Sequence, residues 1–126
     1  MAFGDTGGAV TELIITCRTP AVGGVAIAKG DAVKLTGAYT ITNATDAEDA
    51  VFGQAMQAAT ANDVGIPIKV RGICIFKYTG TAPTVDGVKG VTASATDGSV
   101  KTPASGNGKG INVKVDATAT QVHVLL

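Results

Sequence analysis

From residue 10 onward, short apolar stretches are punctuated by turn residues at intervals of eight to twelve positions. With Val, Ile and Thr filling the stretches, this spacing predicts an all-β fold, a small antiparallel β-barrel or β-sandwich. Residues 10–17 (VTELIITC) read as the first strand, ended by Thr19-Pro20 and Gly23-Gly24. Residues 25–28 form a second stretch, and Gly30-Asp31 turns the chain into residues 32–35. There Val33 and Leu35 alternate with Lys34, predicting one buried and one wet face. Residues 39–42 alternate again after Gly37.

Residues 45–62 satisfy two patterns. Thr45 and Glu48 have capping-box spacing and the run is rich in Ala, Met and Gln, as a helix would want. Gly53 would sit inside that helix at a cost of ~1 kcal/mol relative to Ala, and residues 51–58 also divide into two alternating sets. Strand is the favoured reading. The strongest strand signals are residues 66–71 and 73–78, split by Gly72. Ile66, Ile68, Val70, Ile73 and Ile75 are the expected core, with Lys69 and Arg71 on the wet side. Pro67 cannot donate to a ladder, which places the start of its strand at a sheet edge. Residues 88–95 and 100–101 are weaker strands around the Asp97-Gly98 turn. After an exposed loop at 103–110, residues 111–115 and 121–126 complete the set.

The first nine residues stand apart. They hold three glycines and one large hydrophobe, Phe3, ahead of the strand signal, and read as an extended N-terminal arm (1–9) leading into a single β domain (10–126). One domain also follows from length, because 126 residues divided between two cores would leave each marginal. Ala, Gly, Thr and Val make up more than half the chain while aromatics reach 4%, so the core must be built from small and β-branched side chains.

Composition narrows function mainly by exclusion. Ten basic residues balance ten acidic ones, so no charge field favours nucleic acid or an anionic membrane as partner. No apolar run approaches the ~20 residues of a membrane-spanning helix, and the start lacks a basic n-region and apolar h-region. The expected place of the chain is the cytosol or something assembled there. Cys17 and Cys74 are too few for a disulfide framework and read as buried free thiols.

Candidate chemistry is thin. His123, the sole histidine, is flanked by Val122 and Val124 and has no partner motif. Asp46, Glu48 and Asp49 form the one carboxylate cluster, without the calcium-loop pattern, and read as a solvated acidic turn. The residues 106–110 (GNGKG) fail the phosphate-loop spacing. Ser94, Ser99 and Ser105 lie outside any nucleophile-elbow context. Asn43-Ala44-Thr45 matches a glycosylation sequon, which carries no meaning without a secretory signal. Phe52 and Phe76 are expected in the core, leaving no strip of surface aromatics for sugars or single strands. No enzyme, no cofactor and no metal is the expectation.

Three short stretches point elsewhere. Gly30-Asp31-Ala32-Val33, Gly53-Gln54-Ala55 and Ile66-Pro67-Ile68-Lys69-Val70-Arg71-Gly72, spread over somewhat under half the chain, resemble the capsid decoration or cement proteins of tailed bacteriophages. That resemblance implies a virion structural protein, made in the host cytoplasm, that binds the major capsid protein lattice on the capsid exterior, commonly as a homotrimer. Under it the arm orders on binding, with Phe3, Thr6 and Val10 as candidate contacts to the capsid or a neighbouring copy. A phage tail or baseplate β-domain would share the composition. A carbohydrate- or small-ligand-binding β-sandwich would need exposed aromatics on one sheet face.

Overall fold

A computed structural model describes residues 12–126. The expected arm, including Phe3 and Thr6, lies outside these residues, as does Val10 at the start of the first predicted strand. The described chain is all-β, with ten strands: β1 (Leu13–Arg18), β2 (Ala32–Gly37), β3 (Thr40–Thr42), β4 (Gly53–Ala55), β5 (Gly65–Arg71), β6 (Ile73–Lys77), β7 (Thr92–Ala93), β8 (Val100–Lys101), β9 (Ile111–Asp116) and β10 (Gln121–Leu125).

Five of them close into a barrel in the order β1-β3-β2-β4-β5. Antiparallel pairing of β1 with β5 runs from Leu13 opposite Arg71 to Arg18 opposite Gly65. The opposite seam is far weaker: β1 meets β3 only through a parallel bridge between Arg18 and Thr40. Small residues allow the tight closure. At Gly53 an added Cβ would lie 2.5 Å from the Lys69 carbonyl oxygen, so only glycine lets β4 approach β5 this closely. Cys17, Ile27, Val33, Ile41, Ala55, Ile66 and Ile68 fill the interior.

Gly72, at φ +112°, turns the chain out of the barrel into a second unit. Here β6, β10 and β9 form a three-stranded antiparallel sheet, and β7 pairs with β8 around the predicted Asp97-Gly98 turn. Cys74, Phe76, Val122 and Val124 on the inner sheet face pack with Val91, Ala93 and Val100. Ala32 and Val51, from the barrel side, belong to this second cluster. The buried Gln54 also joins the units, its Nε2 donating to the Gly30 carbonyl at 3.1 Å and the Ile75 carbonyl at 2.7 Å. Thus two hydrophobic clusters share one body, rather than one core filling a simple sandwich.

Several expectations need correction. Ile66 and Ile68 are buried, but Val70 and Ile73 are only partly covered and Ile75 faces solvent, its place in the core taken by Cys74 and Phe76. Lys69 is buried instead of wet, because its ammonium reaches under the β5–β6 junction to Glu12 Oε1 and the Ile73 carbonyl, both at 3.0 Å. Leu35 is exposed although Val33 is not: β4 pairs with β2 only at Ala32 and Val33, and Leu35 extends beyond that cover. Pro67 is in no edge strand. Its carbonyl accepts from Met56 N–H just past the end of β4, so its missing donor falls where that ladder has stopped.

The other differences concern extent. Residues 25–28 reduce to one bridge between Ile27 and Ala59, and residues 88–95 to β7 plus a Val91–Lys109 bridge. Within 45–62 neither helix nor long strand forms; β4 is three residues long and the rest is irregular chain.

Candidate functional site

Most of the polar clusters singled out in the sequence turn out to hold the fold together. The acidic turn is no free-standing cation site. Asp49 Oδ2 pairs with Lys34 Nζ at 2.7 Å and accepts the Asp46 amide at 2.8 Å, which holds its carboxyl below the usual range. Glu48 is held low chiefly by its bond from Lys101, and it also accepts the Ala104 amide at 3.0 Å and the Thr92 hydroxyl at 3.3 Å. Glu48 N–H donates to the Ala93 carbonyl and Ala93 N–H to the Asp49 carbonyl. This turn therefore fastens β2, β7, β8 and the following loop to one another.

The glycine loop is similarly occupied: Gly108 N–H donates to the Lys89 carbonyl and Lys109 N–H to the Val91 carbonyl, so these amides are spent. Ser94 Oγ donates to the Thr96 carbonyl. Asn43, of the sequon, is buried, with its Nδ2 donating to the Ala26 carbonyl and Asp31 Oδ2, both at 2.8 Å. His123 lies half-buried in the middle strand, between Ile75 and Lys114. Both cysteines are buried free thiols, and burial pushes Cys74 up to about 11. Among the described residues no group of three His, Cys, Asp or Glu side chains could hold a metal ion.

What stands out is an apolar flank of the barrel beside the weak seam. Arg18 N–H donates to the Tyr39 carbonyl at 2.6 Å, so the backbone of Arg18 points toward β3. Strand residues two apart point their backbone groups the same way. Ile14 and Thr16 consequently face that side too, where no described strand pairs with them. Pro67 agrees with this, because its carbonyl turns away from Thr16 toward Met56. The result is an open strand edge with Leu13 and Ile14 about half exposed beside it.

Next to that edge a groove of about 290 Å³ is lined by Ile15, Leu35, Gly37, Ala38, Tyr39 and Phe52. Tyr39 occupies the tip of the β2–β3 hairpin with φ +49°, a conformation costing a non-glycine residue roughly 1–3 kcal/mol. The bond from Arg18 and the Thr40 hydroxyl bond to the Ala38 carbonyl, 3.0 Å, hold it there. The residue is left 70% exposed, whereas a buried ring would contribute favourably. Phe52, expected in the core, packs only one side against the barrel cluster and turns the other to this groove.

An open strand edge beside exposed Leu, Ile and Tyr can do two things: add a strand by main-chain hydrogen bonds, and bury apolar side chains against a partner. Neither Leu35 nor Tyr39 was singled out from the sequence, since both sit in stretches that read as ordinary strands. No known protein family matches the chain, and no curated protein matches it.

Proposed function

We propose that this chain is a virion structural protein that decorates and stabilises the outer surface of a phage capsid by binding the major capsid protein lattice as a homotrimer. The observation that carries the reading is the apolar flank at Leu13, Ile14, Leu35 and Tyr39, which lies where the described chain joins residues 1–11. A surface of this kind on a small protein marks a contact with another macromolecule. The three stretches that carry the resemblance also fall on neighbouring barrel strands: the Gly30-Asp31 turn opens β2, Gly53-Gln54-Ala55 is β4, and residues 66–72 cover β5 and its exit. In this reading the arm and the flank form one continuous contact, with Phe3, Thr6 and Val10 extending it.

Co-sedimentation with expanded, undecorated phage shells tests the proposal. Saturable binding is expected, and truncating an aromatic anchor with Tyr39→Ala should weaken it by about 30-fold, corresponding to ~2 kcal/mol. Deleting residues 1–9 should weaken attachment while leaving the β-type circular dichroism unchanged. Absence of binding by the intact chain at micromolar concentration would refute the reading.

A further inference from the structure

Among the described residues the outer face of the β6-β10-β9 sheet is the other exposed surface, bordered on the β6 side by a pocket in which Ile75, Lys77 and Gln121 meet Asp31 and Asp97. Registers put its residues in three rows across the strands: Ile73, Leu125 and Ile111; then Ile75, His123 and Lys114; then Lys77, Gln121 and Asp116. The inner face of the same sheet is already packed on Phe76 and Val122. Even so, Ile75, Ile111, Val113 and Leu125 are each 41–46% exposed on the outside. A strand reading ICIF, apolar on both faces, is the pattern of one covered on both sides.

The third row carries charge at both borders. Lys77 lies on the β6 edge and Asp116 on the β9 edge, opposite borders of one face, and among the described residues neither has an ion-pair partner. Two strand spacings, about 9–10 Å, keep them apart within a copy. Around any rotation axis parallel to the strands, the β6 edge of one copy approaches the β9 edge of the next. That single operation brings Lys77 to Asp116 and Ile73 to Ile111, with Leu125 and His123 toward the axis. We propose that copies of this chain associate through the outer face of the β6-β10-β9 sheet, Lys77 of each copy pairing with Asp116 of the next. The first and third rows are thus complementary to themselves, apolar with apolar and cation with anion, while the middle row sets Ile75 against the aliphatic stem of Lys114; the contact holds whether or not a shell is the larger partner.

Sedimentation of the whole chain without shells, together with directed cross-linking, tests the contact. Cys17 and Cys74 are buried, so the double variant Ile73→Cys, Ile111→Cys presents the only exposed thiols among the described residues. Within a copy these positions are too far apart for a disulfide, which requires Cα atoms closer than about 7 Å. Oxidation should therefore give covalent multimers on a non-reducing gel. Lys77→Glu, which sets like charges together, should weaken association by about tenfold or more, and the exchange Lys77→Glu with Asp116→Lys should restore it. Because Asp116 Oδ1 also accepts the Thr118 and Ala119 amides at 3.1 Å, Asp116→Asn serves as the single variant that keeps this turn. A monomer at tens of micromolar, or a multimer indifferent to Lys77→Glu, would overturn the proposal. Shell binding by such a monomer would leave the decoration reading standing but remove the homotrimer from it.

Discussion

Replacing Gly53 by alanine gives a test in which even the sign of the effect is diagnostic. In an unconstrained loop, Gly→Ala stabilises by ~0.4–1 kcal/mol, because the unfolded chain loses freedom. At Gly53 the new methyl would sit 2.5 Å from the Lys69 carbonyl oxygen, 2.8 Å from Ile68 Cγ2 and 3.2 Å from Val70 Cγ1. Carbon pairs prefer ~3.5–4.0 Å, so β4 must move off β5 by several tenths of an ångström or more. Overpacking of this kind costs ~1–3 kcal/mol. The displaced pairs, Gln54 with Lys69 and Ala55 with Ile68, add ~0.5–1.5 kcal/mol for each hydrogen bond lost. A net destabilisation of roughly 2–5 kcal/mol follows. With a mid-range urea slope of ~2 kcal/mol/M the midpoint should fall by about 1–2.5 M. Gly24→Ala is the control, since nothing lies within 4 Å of its added Cβ. An unchanged or raised midpoint for Gly53→Ala would refute the close approach of β4 to β5 as the reason for glycine there.

Three further outcomes are expected. Phe76→Ala should cost ~3–5 kcal/mol, whereas Ile75→Ala, on the exposed face of the same strand, should cost far less in dilute protein, as urea melts of the two will show. Cys17 and Cys74 should resist alkylation at pH 8 in native buffer and react once urea unfolds the chain, because burial raises both thiols; rapid native labelling would contradict this. Glu48, Asp49 and Asp86 have carboxyls held below their ordinary range, so their stabilisation is present above the unfolded carboxylate range and disappears as pH falls through the lowered native values. Melts from pH 7 to pH 3 should show stability falling at the acid end, and less steeply in Glu48→Gln with Asp49→Asn.

The fold class was legible because turn residues and β-branched stretches alternate so regularly, and the pair β5–β6 stood out for its apolar density. Which face of β6 points inward was harder. ICIF offers no polar residue to mark a wet side, and cysteine, isoleucine and phenylalanine are all commonly buried, so the larger aliphatic pair Ile73 and Ile75 was the expectation. The available signal lay one residue further on, where Lys77 shares the phase of Ile73 and Ile75 while Tyr78 shares that of Cys74 and Phe76. Lys69 was illegible for another reason: its alternation is correct for a barrel exterior, but the second unit covers that exterior. Glu48 and Asp49 are solvent-accessible as read, but their pairing was illegible, because Lys101 and Lys34 are remote in sequence and only the fold brings them close. Leu35 and Tyr39, which shape the apolar flank, are set by where β4 stops and by a left-handed turn residue, neither of which a pattern of hydrophobicity encodes.

The placement of β10 between β6 and β9 carries a consequence for assembly of the chain in time. β6 has its sole ladder partner in the sheet at residues 121–125, so residues 78–120 must be spanned before β6 can pair, whereas β9 and β10 form a local hairpin. The barrel has no such wait, since every strand it needs lies before residue 72. Loop closure over a long stretch is slow, and contacts remote in sequence form late. Folding should therefore proceed in two stages, with the barrel closing first and Phe76 exposed until the β9–β10 hairpin docks on β6. During that interval the half-made sheet is the part of the molecule open to wrong pairing, and loss of residues 121–126 would leave the barrel's strands complete but its neighbour without a centre.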